Sequence, residues 1–268
     1  MEWWLFPAFV AIGCVVGFLA GLLGVGGGMT IVPLLVLIFT REHFPQDQIL
    51  HMAIATSMAT IVFTSVSSVR AHHAHQAVVW PIVWKLAPGM MFGSLVGPQI
   101  VSGMRAGLLS GMFAVFAGFI ATTMLSDRKP RPTRELPGTP GMFVVGSFIG
   151  AVASMVGAGG AFLAVPFMTA CNVRIRNAVG TSAALGMPIA TAGTVGFIIA
   201  GLRQADLPQY TVGFIYLPAL LAIVASSIVV APIGARFAHR WPVARLRRAF
   251  ACLLYAVASF FAWKAITG

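Results

Sequence analysis

Apolar residues fill almost the whole chain in long runs that short polar segments separate. A helix needs about 20 apolar residues to cross a bilayer whose hydrocarbon core is about 30 Å thick. The longest polar stretch is only Ser126–Pro140, so the pattern predicts an all-α polytopic membrane protein with little chain outside the lipid. The apolar runs are Trp3–Phe39, Ile49–Val69, Val78–Val101, Ala106–Leu125, Gly141–Ala170, Ala178–Leu202, Tyr210–Ala235 and Ala249–Ile266.

Two of these runs are too long for one comfortable crossing. Trp3–Phe39 would extend roughly 55 Å as a straight helix at about 1.5 Å per residue, and Gly141–Ala170 is also long. Each contains a tract of glycines, which are poor in helix interiors and permissive elsewhere. Each run is therefore either steeply tilted or broken at its glycines, into a re-entrant hairpin or two half-helices. The sequence leaves these alternatives open.

The two glycine tracts are similar in sequence and form an internal repeat. Gly21–Pro33 matches Ser154–Pro166, and Ala55–Ala59 matches Gly180–Ala184 in the same order. Broken hydrophobic segments at corresponding positions of two halves are typical of transporters. We therefore expect two repeats, with about four helical segments in each. The predicted divisions are 1–125 for the first membrane repeat, 126–140 for a charged, proline-rich cytoplasmic linker and 141–268 for the second membrane repeat.

The distribution of basic residues favours one topology. If each glycine segment enters and leaves on the same side, each half makes three full crossings and the repeats are inverted. Basic residues then concentrate on the linker side, as the positive-inside rule requires. A topology with eight full crossings divides the basic residues more evenly between the two sides of the membrane. This interpretation predicts a multi-pass protein of the cytoplasmic (inner) membrane. The residues left outside are Arg41, Arg105, Arg203 and Lys264.

Composition and charge agree with this class. Hydrophobic residues make up 59% of the chain and charged residues 9%, whereas a soluble domain carries about 25% charged residues. The net charge of +11 is divided among short loops, so it forms no basic face for a nucleic acid. Cys14, Cys171 and Cys252 are widely spaced in apolar surroundings. We expect free thiols rather than disulfides or a metal site.

The glycine tracts are the first candidates for a binding site. Irregular backbone at membrane depth is tolerated only where protein buries it or where it lines a watery cavity, so the tracts should meet in the middle of the protein. Each precedes an apolar stretch that can restart as a helix, whose N-terminal N–H groups and dipole attract anions. The alternative is that the glycines only allow helices to pack closely. The substrate-binding candidates are Gly24, Gly26, Gly27, Gly28, Gly157, Gly159 and Gly160.

Hydroxyl groups and one lysine are the next candidates. Thr56, Ser57, Thr181 and Ser182 could donate to the oxygens of a bound anion, or they could bond neighbouring helices and their own backbone. Lys85 lies a few residues inside a predicted span. It could balance an anionic solute, or it could extend its ammonium group to the membrane interface.

The sequence lacks several residue patterns that catalysis or cation transport would need. All acidic residues lie at chain ends or in loops, so no intramembrane carboxylate relay for protons or cations is visible. No nucleophile–base arrangement and no GxxxxGK[ST] phosphate loop occurs. We therefore expect no enzyme activity, no cofactor and no metal, with a small anionic solute and the lipid bilayer as partners. The acidic residues are Glu2, Glu42, Asp47, Asp127, Glu135 and Asp206.

The order and spacing of these motifs resemble the sulfite exporter TauE/SafE family, also called the toluene sulfonate uptake permease family. The resemblance rests on Gly21–Pro33, Ser154–Pro166, Ala55–Ser57, Gly180–Ser182 and the late run Leu217–Arg236. It implies a cytoplasmic-membrane permease that moves sulfite, sulfonates or similar anions, which we expect to work by alternating access. The alternative is a non-transporting membrane assembly partner or scaffold. Substrate, direction, coupling ion and oligomeric state, a homo-oligomer included, stay open.

Overall fold

The computed structural model describes residues 5–23, 28–125, 135–204, 207–238 and 243–267. These residues are almost entirely helical, which confirms the all-α polytopic class. By length and composition, α3, α5, α6 and α8 are each able to cross a membrane. The helices are α1 (Leu5–Leu23), α2 (Gly28–Arg41), α3 (Gln46–Ala74), α4 (Trp80–Ser102), α5 (Ala106–Leu125), α6 (Thr139–Val156), α7 (Ala161–Ala170), α8 (Ile175–Gly201), α9 (Leu217–Ala238) and α10 (Val243–Thr267), and a hairpin of β1 (Thr211–Val212) and β2 (Ile215–Tyr216) precedes α9.

The second glycine tract breaks its apolar run into two helices. Gly157 follows α6 with φ of 70°, and Gly160 precedes α7 with φ of 73°. Both angles lie in the left-handed region, which glycine adopts without the penalty that a Cβ atom brings. In the first half, α1 ends at Leu23 and α2 begins at Gly28. Gly24, Gly26 and Gly27 lie outside the described residues.

The helix pair α6–α7 enters and leaves at one end of the bundle. We call this end B, where α3 ends and α4 begins; the opposite end, where α3 begins and α4 ends, is end A. The backbone of Phe143, early in α6, packs against Gly89 in the first half of α4. Thr181, early in α8, accepts a hydrogen bond from Val79 at the start of α4. Because α7 leads directly into α8, α6–α7 is a re-entrant hairpin from end B.

The helix pair α1–α2 re-enters from end A. Phe9, near the start of α1, contacts Phe39, near the end of α2, with ring centroids 6.5 Å apart. Both rings also contact Tyr216, which follows α8 and leads into α9. Full crossings are therefore left to α3, α4 and α5 in the first half and to α8, α9 and α10 in the second. The two hairpins point toward each other from opposite ends.

Stripes of small residues bring helix backbones into direct contact. Gly89 and Gly93 of α4 face α6, and a methyl group at Gly93 would overlap the carbonyl oxygen of Ser147. Gly13 and Gly17 of α1 meet α9 in the same way, at positions that correspond to the α6 residues Gly146 and Gly150 in the alignment of the tracts. Small residues at such spacing are how membrane helices approach closely.

The outward faces of the bundle are apolar. Large hydrophobic side chains that a soluble protein would bury are exposed on several helices, and in this protein they lie where lipid chains would cover them. The three cysteines are free thiols, as the sequence predicts. Examples of the exposed residues are Trp84, Val115, Phe148, Leu221 and Val229.

Candidate functional site

Ser57 joins the tips of the two re-entrant hairpins. Its Oγ lies 3.0 Å from the carbonyl oxygen of Gly28 and 2.9 Å from that of Gly157, and its single O–H group is shared between these two acceptors. Gly28 is the first residue of α2, and Gly157 caps the end of α6. Ser57 itself is fully buried near the middle of α3. The structure therefore brings Gly28, Gly157 and Ser57 together inside the bundle.

The contact between the tips has no room for side chains. A methyl group added at Gly28 would lie 2.7 Å from the carbonyl oxygen of Gly157, and one at Gly157 would lie 3.0 Å from Val32. Glycine at 157 is also required by its positive φ. The glycines here thus serve close packing, which is one of the two interpretations that the sequence leaves open.

Just beyond this contact, the start of α7 presents free backbone donors. The carbonyl oxygen of Gly160 accepts from Leu163 and Ala164. In the described part of the chain, the N–H groups of Gly159, Gly160 and Ala161 have no acceptor. A helix N-terminus carries a partial positive charge, so these donors suit an anion.

A gap lies beside these donors. Among the described residues, a methyl group added at Gly159 would meet Ile61 at 3.8 Å and the Cα of Gly186 at 4.0 Å, and one added at Gly186 would meet the carbonyl oxygen of Gly159 at 3.8 Å. Gly186 is buried, yet no described atom packs against it more closely than this. We call the space lined by Gly159, Gly186 and Ile61 the tip gap.

Thr30 is a buried hydroxyl that the sequence reasoning did not single out. It lies in the first turn of α2, is only 3% exposed, and its Oγ1 has no hydrogen-bond partner among the described residues. A buried hydroxyl without a partner costs about 1–3 kcal/mol. The sequence signal that could have pointed to Thr30 was its position inside the glycine tract Gly21–Pro33. The unsatisfied group is free to bind a polar guest.

Thr56 and Thr181 each accept a backbone hydrogen bond from a residue far away in the chain. Thr56 Oγ1 accepts the N–H of Tyr216 at 3.1 Å, and Thr181 Oγ1 accepts the N–H of Val79 at 3.0 Å. Tyr216 and Val79 stand directly before α9 and α4. Each threonine therefore binds the residue before a full crossing, which is α9 for Thr56 and α4 for Thr181.

Two further candidates do not reach Ser57. The hydroxyl of Ser182 donates to the carbonyl oxygen of Val179 within its own helix. Lys85 is exposed on the outer face of α4, next to Trp84. The structure does not bring Lys85 to the hairpin tips, and a solvent- or lipid-facing amine there fits the interfacial interpretation.

Two hairpins that re-enter from opposite ends and meet at buried polar backbone define a polytopic membrane protein of the transporter class. The sequence profile described as "Sulfite exporter TauE/SafE" matches residues 9–261. The chain therefore belongs to the sulfite exporter TauE/SafE family of membrane transporters.

Curated relatives cover nearly the whole chain. A "Probable membrane transporter protein" of Haemophilus influenzae is 36% identical over 248 residues, which are 92% of this chain and 94% of the relative. The "Probable membrane transporter protein YdhB" of Bacillus subtilis is 27% identical over 240 residues, with 87% of this chain and 90% of the relative covered. No solved structure matches the chain.

Proposed function

We propose that this protein is a secondary permease for a small sulfur-containing or organic anion, such as sulfite or a sulfonate, and that it works by alternating access. The proposal is carried by the junction of the hairpin tips, where unpaired N–H groups at the start of α7 lie beside the tip gap. Membership in a transporter family supports the general activity. The non-transporting scaffold has no comparable observation in its favour.

The chemistry of the junction favours an anion over a cation. Gly159, Gly160 and Ala161 offer N–H donors, and the orphaned hydroxyl of Thr30 adds a further donor on the opposite hairpin. The oxygens of a sulfite or sulfonate group accept such hydrogen bonds, and charged acceptors strengthen them. A cation would need buried carboxylates, and no acidic residue is buried among those whose burial the structure describes.

The opposed hairpins suit alternating access. The α1–α2 hairpin lies between the junction and end A, while the α6–α7 hairpin lies between the junction and end B. Movement of either hairpin would open the junction to one end while the other hairpin keeps it closed. Pro33 and Pro166 occupy matching places in the short helices α2 and α7, where each removes a helical hydrogen bond and eases bending.

The sidedness of the protein follows from its basic residues. At end B the guanidinium group of Arg176 donates to the carbonyl oxygen of His75 at 2.8 Å, close to Arg70 and Arg174 in the chain. Under the positive-inside rule, end B is the cytoplasmic end in the inner membrane. The linker between the predicted repeats joins helices at this same end.

Transport by purified protein in liposomes tests the proposal, with Gly159→Ala as the diagnostic variant. The added methyl group clears its neighbours by 3.8 Å, so the variant should fold, yet it fills the tip gap. We expect labelled sulfite, sulfonate or carboxylate flux to fall at least tenfold. Gly111→Ala is the matched control, since its methyl group meets Ala265 in α10 at 3.7 Å, away from the junction.

The outcomes separate the proposal from its rival. If the native protein moves none of these anions, the permease is abandoned. If Gly159→Ala transports as well as Gly111→Ala, the solute does not pass the tip gap. A well-expressed Gly159→Ala variant that has lost flux argues against a scaffold, because a scaffold needs only the fold.

A further inference from the structure

His51 is held between two backbone carbonyl groups inside the bundle. It lies in α3, only 4% exposed. Its Nδ1 is 3.0 Å from the carbonyl oxygen of Asp47, and its Nε2 is 2.9 Å from that of Val101 in the last turn of α4. Both ring nitrogens are therefore at hydrogen-bonding distance from groups that can only accept.

Burial opposes a charge on this ring, whereas its two carbonyl partners favour the protonated form. A neutral imidazole has one N–H donor and one acceptor nitrogen, whichever tautomer it adopts. It can donate to one of the two carbonyl groups, and its remaining lone pair then faces the oxygen of the other. The imidazolium ion carries two N–H donors and can donate to both. The two carbonyl oxygens thus form a binding site for one extra proton.

Three described groups face the ring from the elements around it. From its own helix, the charged residue Asp47 interacts with His51. From α4 the Val101 carbonyl group faces it, and from the β1–β2 hairpin the ring of Phe214 stacks on it at 5.4 Å and 24°. Tyr216, further along the hairpin, stays neutral, because burial and then Glu42 raise its pKa.

Among the residues whose burial the structure describes, His51 is the one buried histidine, and no aspartate, glutamate, lysine or arginine is buried. Carboxylates relay protons in many transporters, and the described part of this bundle buries none. A proton that binds within the described bundle would therefore bind at His51.

The position of His51 connects proton binding to movement. The ring joins α3 to the last turn of α4 and to the hairpin that leads into α9, all at end A. The bond from Nε2 to Val101 ties α3 to α4, whereas the contact of Nδ1 with Asp47 stays within α3. The protonated ring always has the Nε2–H group that makes this tie, but the neutral ring has it in only one of its two tautomers. The charge state of the ring therefore changes how firmly end A is closed.

We propose that His51 is the proton-binding residue of this permease, and that its protonation couples the movement of the anion to the movement of a proton. Uptake breaks an O–H bond of a hydronium ion at end A, forms one N–H bond on the ring and leaves water; release reverses both changes. The coupling rests on the proposed transport function, whereas proton binding does not.

Proton binding is tested without transport by a nitrogen-15 NMR titration of histidine-labelled protein in detergent. We expect one of the six histidines to show two protonated nitrogens that exchange slowly with water, and His51→Gln to remove that signal. His43→Asn is the control, since His43 is exposed with φ of 54°, an angle that asparagine tolerates. If the buried histidine stays neutral from pH 8 to pH 5, the proposal is overturned. This holds for the native protein even if His51→Gln does not fold.

Coupling is tested in liposomes with an imposed pH difference. One pH unit should drive anion accumulation up to about tenfold with one proton per solute, and His51→Gln should transport without responding to the gradient. Native flux that ignores the gradient refutes coupling while the permease stands. Absence of flux in every sample refutes the permease, and the NMR titration then decides proton binding by itself.

Discussion

Among the described residues, Ser57 is the side chain that hydrogen-bonds to both hairpin tips, so Ser57→Ala tests how the tips are held. Ser57 is fully buried, and its hydroxyl is the one recorded partner of the Gly157 carbonyl oxygen within the described residues. The Gly28 carbonyl oxygen sits in the first turn of α2 and keeps its helical environment. Removal of the hydroxyl therefore leaves the Gly157 carbonyl group buried and unsatisfied.

The expected loss is about 2 kcal/mol, because an unsatisfied buried acceptor costs about 1–3 kcal/mol. For chains of about 150–250 residues, about 1 kcal/mol lowers the unfolding temperature by about 2–4 °C. We therefore expect Ser57→Ala to unfold about 4–8 °C below the native protein in detergent. The measurement is thermal unfolding followed by intrinsic fluorescence.

Ser65→Ala is the matched control for this experiment. Ser65 lies two turns further along α3 and is also buried, yet its hydroxyl donates only to the carbonyl oxygen of Val62 in the same helix. Such back-bonding contributes little to helix stability. Equal unfolding temperatures for the two variants would show that the tips do not depend on Ser57, and the reasoning about the junction would fail.

Two further predictions concern packing and sidedness. Gly93→Ala should lower the unfolding temperature sharply or prevent folding, because its methyl group would overlap the Ser147 carbonyl oxygen and overpacking costs about 1–3 kcal/mol or more. The control is Gly118→Ala, whose methyl group would lie 4.0 Å from its nearest neighbour and which should match the native protein in the same assay. Equal stability of the two variants would refute the close α4–α6 contact. In a variant without natural cysteines, a membrane-impermeant maleimide should label Gln46→Cys at end A in intact cells and His75→Cys at end B only after permeabilisation, and the reverse pattern would invert the assigned orientation.

The sequence alone predicted the features that depend on local chemistry. Long apolar runs became helices, since lipid leaves the backbone no other partner than itself. The glycine tract at 157–160 became a break, because these residues can adopt a positive φ at little cost. The division at 1–125, 126–140 and 141–268 stays a prediction, although α1 pairs with α9 as α6 pairs with α4.

The roles of individual polar groups were decided by partners far away in the chain. Ser57 and Thr181 carry similar hydroxyl groups in matching motifs, yet they act in opposite ways. Ser57 donates to a carbonyl group 100 residues away, whereas Thr181 accepts from the N–H group of Val79, 102 residues away. Lys85 was exposed rather than central, and His51 gained its second carbonyl partner from the end of α4. A hydroxyl or imidazole has the same donors in every sequence context. Only the folded bundle determines which of them are already used and which are left for a proton or a solute.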